Sequence, residues 1–396
     1  MSELIGGKLI GQGTYGCVYY PGIDCHGKRK EDKKHITKVQ VYDEVFIREL
    51  TISNIIRGIL NYEKYYVPIT ESCSVNFNIV NKSISDIKDC NVVEKNKNRS
   101  NYVLTQELYI PGPNLHVLVG NFIKDNKDNY AQVNHISEKL LFFYSYLSKS
   151  VEILSKHNII HYDLKSDNIV IKHGNNSSVA INHNIPYIID FGMSIDMNAI
   201  IKMLEREDNP NILQYLKQYF FTYASDVEYW PLEIHVICYI LHSSDSANNL
   251  LNMEKIKNII QSIIENNKIL KKCDEKYIKE FKEQSIKFMY EIINKNKTNV
   301  AIIKKLISYY KSWNQYALDA MMLHGINKIK NASSVFEHSN KSRKHKSKGH
   351  KSKSNSSRKN KKITGKNHVE ELNHLGRKLL TNIGIHHRAK QAIKIF

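Results

Sequence analysis

Two short β-branched runs, separated by a polar turn, constrain the fold of this sequence more than any other feature. Ile169-Val170-Ile171 and Tyr187-Ile188-Ile189 have the composition of paired strands, and the turn contains Gly174-Asn175-Asn176. A polar string, His161-Tyr162-Asp163-Leu164-Lys165-Ser166-Asp167-Asn168, precedes the first run, and Asp190-Phe191-Gly192 ends the second. A hairpin of these runs would return Asp190 to the neighbourhood of Asn168. The sequence therefore predicts a site where oxygen-bearing side chains meet, and such side chains suit Mg²⁺.

A glycine-rich string near the start predicts a turn that can approach phosphate groups. Gly11-Gln12-Gly13-Thr14-Tyr15-Gly16 is followed by the β-favouring residues Cys17-Val18-Tyr19-Tyr20. In dinucleotide-binding folds a similar string opens a helix, whereas here a second strand is expected. Glycines let backbone amides come close to phosphate oxygens because they carry no Cβ. Lys38, in a third predicted strand around 36–41, supplies an ammonium group that can bridge two phosphate oxygens.

Together, these strings resemble the motifs of eukaryotic-type protein kinases, in the same order along the chain. Lys165 is similar to the lysine of the serine/threonine branch. The resemblance implies an α+β, bilobal protein kinase fold that binds ATP and Mg²⁺. Residues 1–108 would form a small ATP-binding lobe with an antiparallel sheet and one helix, and residues 109–396 a larger, mainly helical lobe. The Ile-, Asn-, Lys- and Tyr-rich composition resembles that of kinases from large cytoplasmic DNA viruses.

The resemblance also implies a role for each matched residue. Asp163 would orient the acceptor hydroxyl and take its proton, while Lys165 would neutralise charge on the transferred phosphoryl group. Lys38 would hold phosphates and pair with a glutamate on the next helix, either Glu49, which fits best, or Glu44. Asn168 and Asp190 are the expected magnesium ligands. The residues expected to contact the nucleotide are Ile10, Gly11, Gln12, Gly13, Thr14, Tyr15, Gly16, Cys17, Val18, Lys38, Glu107 and Tyr109.

Several positions depart from the family pattern. Tyr162 replaces an arginine that pairs with a phosphorylated activation segment, so we expect activity without this phosphorylation. Ile36 replaces a small alanine and predicts a tighter nucleotide pocket. Asn314 stands where an aspartate is expected, and it can accept a hydrogen bond from the catalytic loop without carrying a charge. The string Trp230-Pro231-Leu232-Glu233 is similar to the A-P-E segment, and Arg388 is the predicted partner of Glu233.

The charge of the chain is concentrated in one block. The formal net charge is +19, and residues 338–368 contain lysine and arginine but no acidic residue. The block has almost no apolar residues, so we interpret about 335–368 as a disordered basic insertion. Such a segment can bind an acidic partner or, non-specifically, nucleic acid. It has no aromatic residues on which bases could stack, which argues against sequence-specific RNA recognition.

Apolar periodicity predicts the main helices. A helix is expected over 44–59, with apolar contacts from Phe46, Ile47, Leu50, Ile55 and Ile59, and another over 138–157. A helical insertion is expected at about 234–313. Its two isoleucine- and phenylalanine-rich stripes, at 256–264 and 278–292, are interpreted as packing faces.

The cysteines and the absence of long apolar runs bear on location. Six cysteines are scattered without a C-x-x-C pair, which predicts free thiols in a reducing compartment. No run reaches the roughly 20 apolar residues that a membrane span needs. We therefore expect an intracellular protein without a membrane span, located in the cytoplasm, which for a viral kinase is the host cytoplasm, or in a virion.

The function expected from these residues is a serine/threonine protein kinase acting on protein substrates. Three alternatives stay open at this point. A small-molecule phosphotransferase would share the acidic loop, a pseudokinase scaffold would bind partners without chemistry, and a basic nucleic-acid-binding protein would depend on the charged block.

Overall fold

The computed structural model describes residues 7–26, 33–76, 84, 86–96, 101–126, 128–173, 184–206, 211–242, 250–335 and 367–384. The predicted turn at 174–176, residues 338–366 of the basic block and Arg388 lie outside these ranges. The chain is α+β, with an antiparallel sheet on the N-terminal side and a mostly helical remainder.

Five strands form the N-terminal sheet. They are β1 (Lys8–Gln12), β2 (Gly16–Tyr20), β3 (His35–Val41), β4 (Glu71–Asn76) and β5 (Asn101–Leu108), in the spatial order β1-β2-β3-β5-β4 with antiparallel neighbours. Alternate residues separate its two faces. Cys17, Tyr19, Val39 and Leu104 pack into an apolar core on one face. The opposite face of β2 and β3 therefore carries Val18, Ile36 and Lys38.

Helix α1 (Glu44–Arg57) packs beside this sheet, and the predicted helix is confirmed. The Asp43 side chain caps it by accepting a hydrogen bond from the backbone N–H of Phe46. Its buried positions include Phe46, Glu49, Ile52 and Ile56, spaced three or four residues apart. The predicted contact from Ile47 is wrong, because this side chain is 47% exposed on another face of the helix. A second, short helix, α2 (Asn91–Lys95), was not predicted.

The rest of the chain is mainly helical. Its helices are α3 (Leu115–Asn126), α4 (Tyr130–Lys156), α5 (Met197–Leu204), α6 (Ile212–Leu216), α7 (Leu232–His242), α8 (Met253–Asn266), α9 (Glu275–Lys295), α10 (Asn299–Ile307), α11 (Trp313–Ala332) and α12 (His368–Asn382). Helix α4 begins earlier than predicted because Asn129 caps it. No helix in the described ranges combines the length and the apolar character that a bilayer crossing requires.

Two apolar cores hold these helices together. Leu147 of α4, Leu318 of α11 and Leu372 of α12 belong to one core. The predicted stripes in α8 and α9 belong to the other, where Ile260 and Phe288 are buried. The interpretation of these stripes as packing faces is confirmed.

The predicted hairpin is also confirmed. Strand β7 (Ile169–Lys172) pairs with β8 (Ile185–Ile188), with Ile169 opposite Ile188. A second small ladder joins β6 (Ile159–Ile160) to β9 (Ile195–Asp196). These two ladders position the polar string 161–168 and the Asp190 turn side by side.

The prediction that all six cysteines are free thiols is wrong. Cys17 is bonded to Cys90 and Cys25 to Cys73. Each disulfide joins cysteines that are far apart in the sequence. A short spacing between cysteines, such as C-x-x-C, therefore does not indicate either pair. Cys238 and Cys273 are free.

Candidate functional site

A large cleft lies between the N-terminal sheet and the helical part of the chain. Its volume is about 700 Å³, and residues from the glycine-rich string, β3, the end of β5, the 161–168 string and the Asp190 turn line it. The predicted nucleotide-contact residues that line it are Ile10, Gly11, Gln12, Gly13, Thr14, Tyr15, Gly16, Val18, Lys38, Glu107 and Tyr109. These segments, which are far apart in the sequence, therefore line one cavity.

Cys17 is the exception among these predicted contacts. Its side chain is fully buried on the other face of β2, where it forms the disulfide with Cys90. The alternation of a strand explains this difference, since the neighbouring Gly16 and Val18 line the cleft. The predicted nucleotide contact of Cys17 is therefore corrected to a place in the core of the sheet.

The glycine-rich string forms a tight turn between two strands, as predicted. The backbone N–H of Gly13 donates to the carbonyl of Gly16 at 2.9 Å, and β2 follows directly. Gly16 has a specific steric reason to be glycine. A Cβ at this position would lie 2.9 Å from the Val39 carbonyl oxygen and 3.0 Å from Cγ of Lys38. The missing side chain thus leaves room for the Lys38 stem to pass beneath the turn.

Lys38 is buried and has two acidic partners. Its Nζ lies 2.9 Å from Oε1 and 3.0 Å from Oε2 of Glu49, and 3.3 Å from Oδ1 of Asp190. Burial alone would lower the pKa of Lys38, but the carboxylates of Asp190 and Glu49 outweigh it and the pKa is raised. Lys38 is therefore a charged ammonium at the inner wall of the cleft. Of the two candidate partners on α1, Glu49 rather than Glu44 contacts it.

The electrostatics of this pair extend to Asp190 and Glu107. The Lys38 ammonium lowers the pKa of Asp190, although burial opposes the shift. Burial raises the pKa of Glu107 to about 8, opposed by Lys38 and reinforced by the carboxylates of Glu49 and Asp190. The Lys38 ammonium is therefore surrounded by the carboxyl groups of Glu49, Glu107 and Asp190. Three carboxyl groups around one ammonium favour binding of a further cation or a proton.

Asp163 lies at the mouth of the same cleft with two nitrogen donors. Lys165 Nζ is 2.8 Å from its Oδ2, and Asn168 Nδ2 is 3.1 Å from the same oxygen. Asn168 Nδ2 also donates to the Asp163 backbone carbonyl at 2.9 Å. The carboxylate is thus held in one orientation while 24% of its side chain remains exposed to the cleft.

The β7–β8 hairpin brings Asn168 and Asp190 to adjoining backbone positions. The N–H of Ile189 donates to the Asn168 carbonyl at 3.1 Å, and the His161 ring bonds the Ile189 carbonyl through Nε2 at 3.0 Å. Burial lowers the pKa of His161, which favours a neutral ring that donates this bond. Asp190 itself has a positive φ of 62°, so its carboxylate leaves the strand at a sharp turn toward Lys38.

These residues fit a magnesium ion that arrives with phosphate groups. Within the described ranges, no cluster of three or more His, Cys, Asp or Glu side chains could hold a metal. Asn168 uses its amide nitrogen for Asp163, which leaves its amide oxygen as an acceptor, and Asp190 adds carboxylate oxygens. Mg²⁺ in proteins commonly takes one or two such ligands and completes its shell with phosphate oxygens and water. The donor set therefore suits a magnesium ion that takes its remaining ligands from elsewhere.

The helical part of the chain holds the 161–168 string from behind. Asn314, at the start of α11, accepts a hydrogen bond from the His161 N–H at 2.9 Å and donates to the Ile159 carbonyl at 2.8 Å and to Ser155 Oγ at 3.1 Å. The predicted hydrogen bond from the loop backbone to Asn314 is confirmed. The amide of asparagine also donates, which an ionised aspartate cannot do.

Tyr162 packs against the segment that follows Asp190. Its ring centre lies 4.8 Å from that of Trp230, and its backbone carbonyl accepts a hydrogen bond from Trp230 Nε1 at 2.9 Å. The Tyr162 hydroxyl is within 3.2 Å of Cys238 Sγ. Glu233 is fully buried nearby. Its predicted partner Arg388 lies outside the described residues, so this pair stays a prediction.

Other residues line the cleft without having been predicted. Asp167 lies within the predicted 161–168 string, and its place in that string could have indicated that it lines the cleft. Gly112 and Asn114 follow the end of β5, where the Pro111 and Pro113 carbonyls accept hydrogen bonds from the backbone N–H groups of His173 and Ile171. The apolar lining at Val67, Val170 and Met193 carries no motif, so sequence reasoning could not have found it.

Comparison of the chain with protein-family models and with curated proteins gives no match. The interpretation of the site therefore depends on the geometry of its residues.

Proposed function

We propose that this chain has a protein kinase fold and transfers the γ-phosphoryl group of Mg-ATP to serine or threonine hydroxyls of proteins. The observation that carries the proposal is the contact between Lys38 of β3 and Asp190 beyond β8, made in a cleft that Asp163 and the glycine-rich turn also line. Phosphoryl transfer needs an anchored cation, metal ligands and a carboxylate at the acceptor, all around one triphosphate.

The chain's own residues would bind and position the nucleotide. Amides of the glycine-rich turn would face the phosphates, and Lys38, held by Glu49, would contribute its ammonium to them. Asn168 and Asp190 would hold Mg²⁺, which neutralises phosphate charge when it is bound. Binding of phosphate would draw Lys38 away from part of its contact with Asp190 and release that carboxylate for the metal.

Asp163 would act on the acceptor. Its carboxylate accepts the proton of the serine or threonine hydroxyl as the oxygen bonds to phosphorus and the bond to the β-phosphate oxygen breaks. Lys165, 2.8 Å from this carboxylate, can then turn its charge toward the transferred group. Every position that this chemistry needs is filled, which favours an enzyme over a scaffold.

Location and other partners also belong to the proposal. Use of ATP supports an intracellular enzyme, whereas the argument from free cysteines no longer does, because four of the six are paired. The basic segment 338–368 would add an acidic partner or non-specific nucleic acid to the protein substrates.

The test is to incubate the purified chain with Mg²⁺, γ-labelled ATP and a mixture of protein, peptide and small-molecule acceptors, and to identify the modified residue. We expect label on serine or threonine. Asp163→Asn should lower turnover by roughly 10²–10⁴-fold while nucleotide binding is kept. Asp274→Asn is the matched control, because Asp274 only caps α9 by accepting from the Tyr277 N–H. Full turnover in Asp163→Asn, or label on small molecules alone, would contradict the proposal.

A further inference from the structure

We infer that Arg48 is a positioning residue, which fastens helix α1 to the segment after Asp190 and so keeps Glu49 against Lys38 without a phosphate group. This inference rests on the proposed function, because it concerns how the phosphoryl-transfer site is assembled. The segment 191–233 is called the activation segment below.

The contacts of Arg48 cross between two parts of the chain. Its Nη1 donates to the backbone carbonyl of Gln218 at 2.9 Å, although the two residues are 170 positions apart. Its guanidinium carbon lies 5.7 Å from the ring centre of Tyr219 and 5.6 Å from that of Phe221. A planar guanidinium can stack on aromatic rings and donate in its plane at the same time, which a lysine cannot do.

The position of Arg48 in α1 connects this contact to the catalytic ion pair. Glu49 is the next residue, and both of its carboxylate oxygens contact Lys38. Adjacent helical residues point about 100° apart, so a contact that fixes one of them also fixes the rotation of the helix for the other. If the Arg48 contact were lost, α1 could turn or tilt and Glu49 would leave Lys38.

The activation segment offers Arg48 a firm partner because it is held from its other side. The Tyr162 ring centre lies 5.9 Å from that of Phe221 and 6.0 Å from that of Phe220. The Phe220 carbonyl accepts from the His242 ring, and the Phe221 N–H donates to the Tyr162 hydroxyl at 3.3 Å. Residues 218–221 are therefore clamped between α1 and the 161–168 string.

These contacts hold the activation segment in place, as an ion pair between a phosphate group and an arginine would otherwise do. Tyr162 occupies the place where the kinase resemblance expects the arginine, and it offers a ring instead of a charge. Arg48 finds a carbonyl and two rings instead of phosphate oxygens. All of these interactions exist in the unmodified chain, so the assembled site needs no modification of the activation segment.

The first experiment compares the kcat of the wild-type full chain with that of its Arg48 variants. The mass of each protein is measured before the assay to verify that it is unphosphorylated. Arg48→Ala should lower kcat by roughly tenfold or more, since a charged hydrogen bond and two ring contacts are lost together. Arg48→Lys keeps the charge without the planar stacking and should fall between wild type and Arg48→Ala. Arg57→Ala is the control. Arg57 lies on the same helix and donates to a backbone carbonyl, that of Thr70, at 3.0 Å, but away from the activation segment.

The second experiment does not need turnover. For Arg48→Ala, amide hydrogen exchange should become faster in both segments, 44–57 and 217–223. For Arg57→Ala, exchange should not become faster in the two segments together. Tyr219→Leu, which removes a ring from the other side of the contact, should accelerate exchange in the same two segments. It also tests the clamp if Arg48→Ala fails to fold.

The outcomes separate the two proposals. If the wild-type chain shows no phosphotransfer, the proposed function is contradicted. The exchange data then still test whether Arg48 fastens α1 to the activation segment. Unchanged exchange and unchanged kcat in Arg48→Ala and Tyr219→Leu would overturn the role of Arg48. A wild-type chain that becomes active only after phosphorylation of the activation segment would overturn the claim that the contact replaces a phosphate.

Discussion

Replacing Asn314 by aspartate, the residue that the kinase resemblance expects at this position, should weaken the protein rather than restore it. Asn314 is 1% exposed. Its Oδ1 accepts from the His161 N–H, while its Nδ2 donates to the Ile159 carbonyl and to Ser155 Oγ. An ionised aspartate keeps the first bond. It would place a negative charge against the Ile159 carbonyl oxygen, 2.8 Å from the present amide nitrogen.

The size of the effect follows from these contacts. The variant loses a buried hydrogen bond and leaves the Ile159 carbonyl without this donor, which together cost about 2–3 kcal/mol of unfolding free energy at pH 7. Ser155 can rotate its hydroxyl to donate to the new carboxylate, so its contact is not lost. We expect a fall in Tm of several degrees and a lower kcat, because the backbone of the 161–168 string would shift.

The loss should depend on pH, with a sign set by burial. Burial raises the pKa of the introduced carboxyl above its ordinary value of about 3.9. The protonated acid can donate to the Ile159 carbonyl as the amide does, so below about pH 4 the variant should be nearly as stable as wild type. As the pH rises, the unfolded chain ionises first and stability falls by about 1.4 kcal/mol per pH unit, until the pKa of the folded state is reached.

Urea unfolding of wild type and Asn314→Asp at pH 5 and pH 7 measures both the size and the sign. Asn252→Asp is the matched control, because Asn252 is an exposed cap of α8 that only accepts, from the Lys255 N–H at 3.0 Å. Aspartate accepts equally well there, so this variant should be neutral. Equal stability of Asn314→Asp and wild type at pH 7, or a loss that does not change between the two pH values, would refute the reasoning.

Two further predictions concern the N-terminal sheet. Gly16→Ala should lower Tm and raise the KM for ATP, because its Cβ would lie 2.9 Å from a backbone oxygen, whereas Gly13→Ala, with no atom within 4 Å, should leave Tm unchanged. Equal Tm values in a thermal melt would contradict this. The double variant Cys17→Ser/Cys90→Ser opens a loop with a sequence separation of 73. Its free energy of unfolding, measured in urea, should be lower than that of wild type by about 4 kcal/mol. Cys273→Ser keeps both disulfides and should match wild type, and equal stability of all three proteins would rule out a structural disulfide.

The elements with clear local signals could be predicted from the sequence. The glycine-rich string followed by β-branched residues predicted β1, the turn and β2, and two apolar runs around a polar turn predicted the β7–β8 hairpin. The convergence of Lys38 and Asp190 followed from the order of the motifs, and the structure shows their contact. These features depend on residues close together in sequence, or on strings whose spacing carries the information.

Features that depend on tertiary neighbours could not be predicted in the same way. The disulfides join residues 73 and 48 positions apart, so no local spacing indicates them. Ile47 looked like a core residue because it is apolar, but the buried face of α1 is set by Glu49 reaching Lys38 and by Ile52 and Ile56. Ile47 lies on a different face of α1 and is exposed.

The two departures from the pattern that the kinase resemblance implies, at Tyr162 and Asn314, have a common physical explanation. Tyr162 and Asn314 each replace a charged residue by an uncharged one, and each is satisfied by neutral partners. Tyr162 has rings and a thiol, and Asn314 has two backbone groups and a hydroxyl. Both residues are buried, where an uncompensated charge is costly and a fully hydrogen-bonded neutral group is not. Among the charged residues of the site, Lys38, Asp163, Lys165 and Asp190 line the cleft, and Glu49 contacts Lys38. The 161–168 string is therefore held by neutral contacts, at Tyr162 and through Asn314.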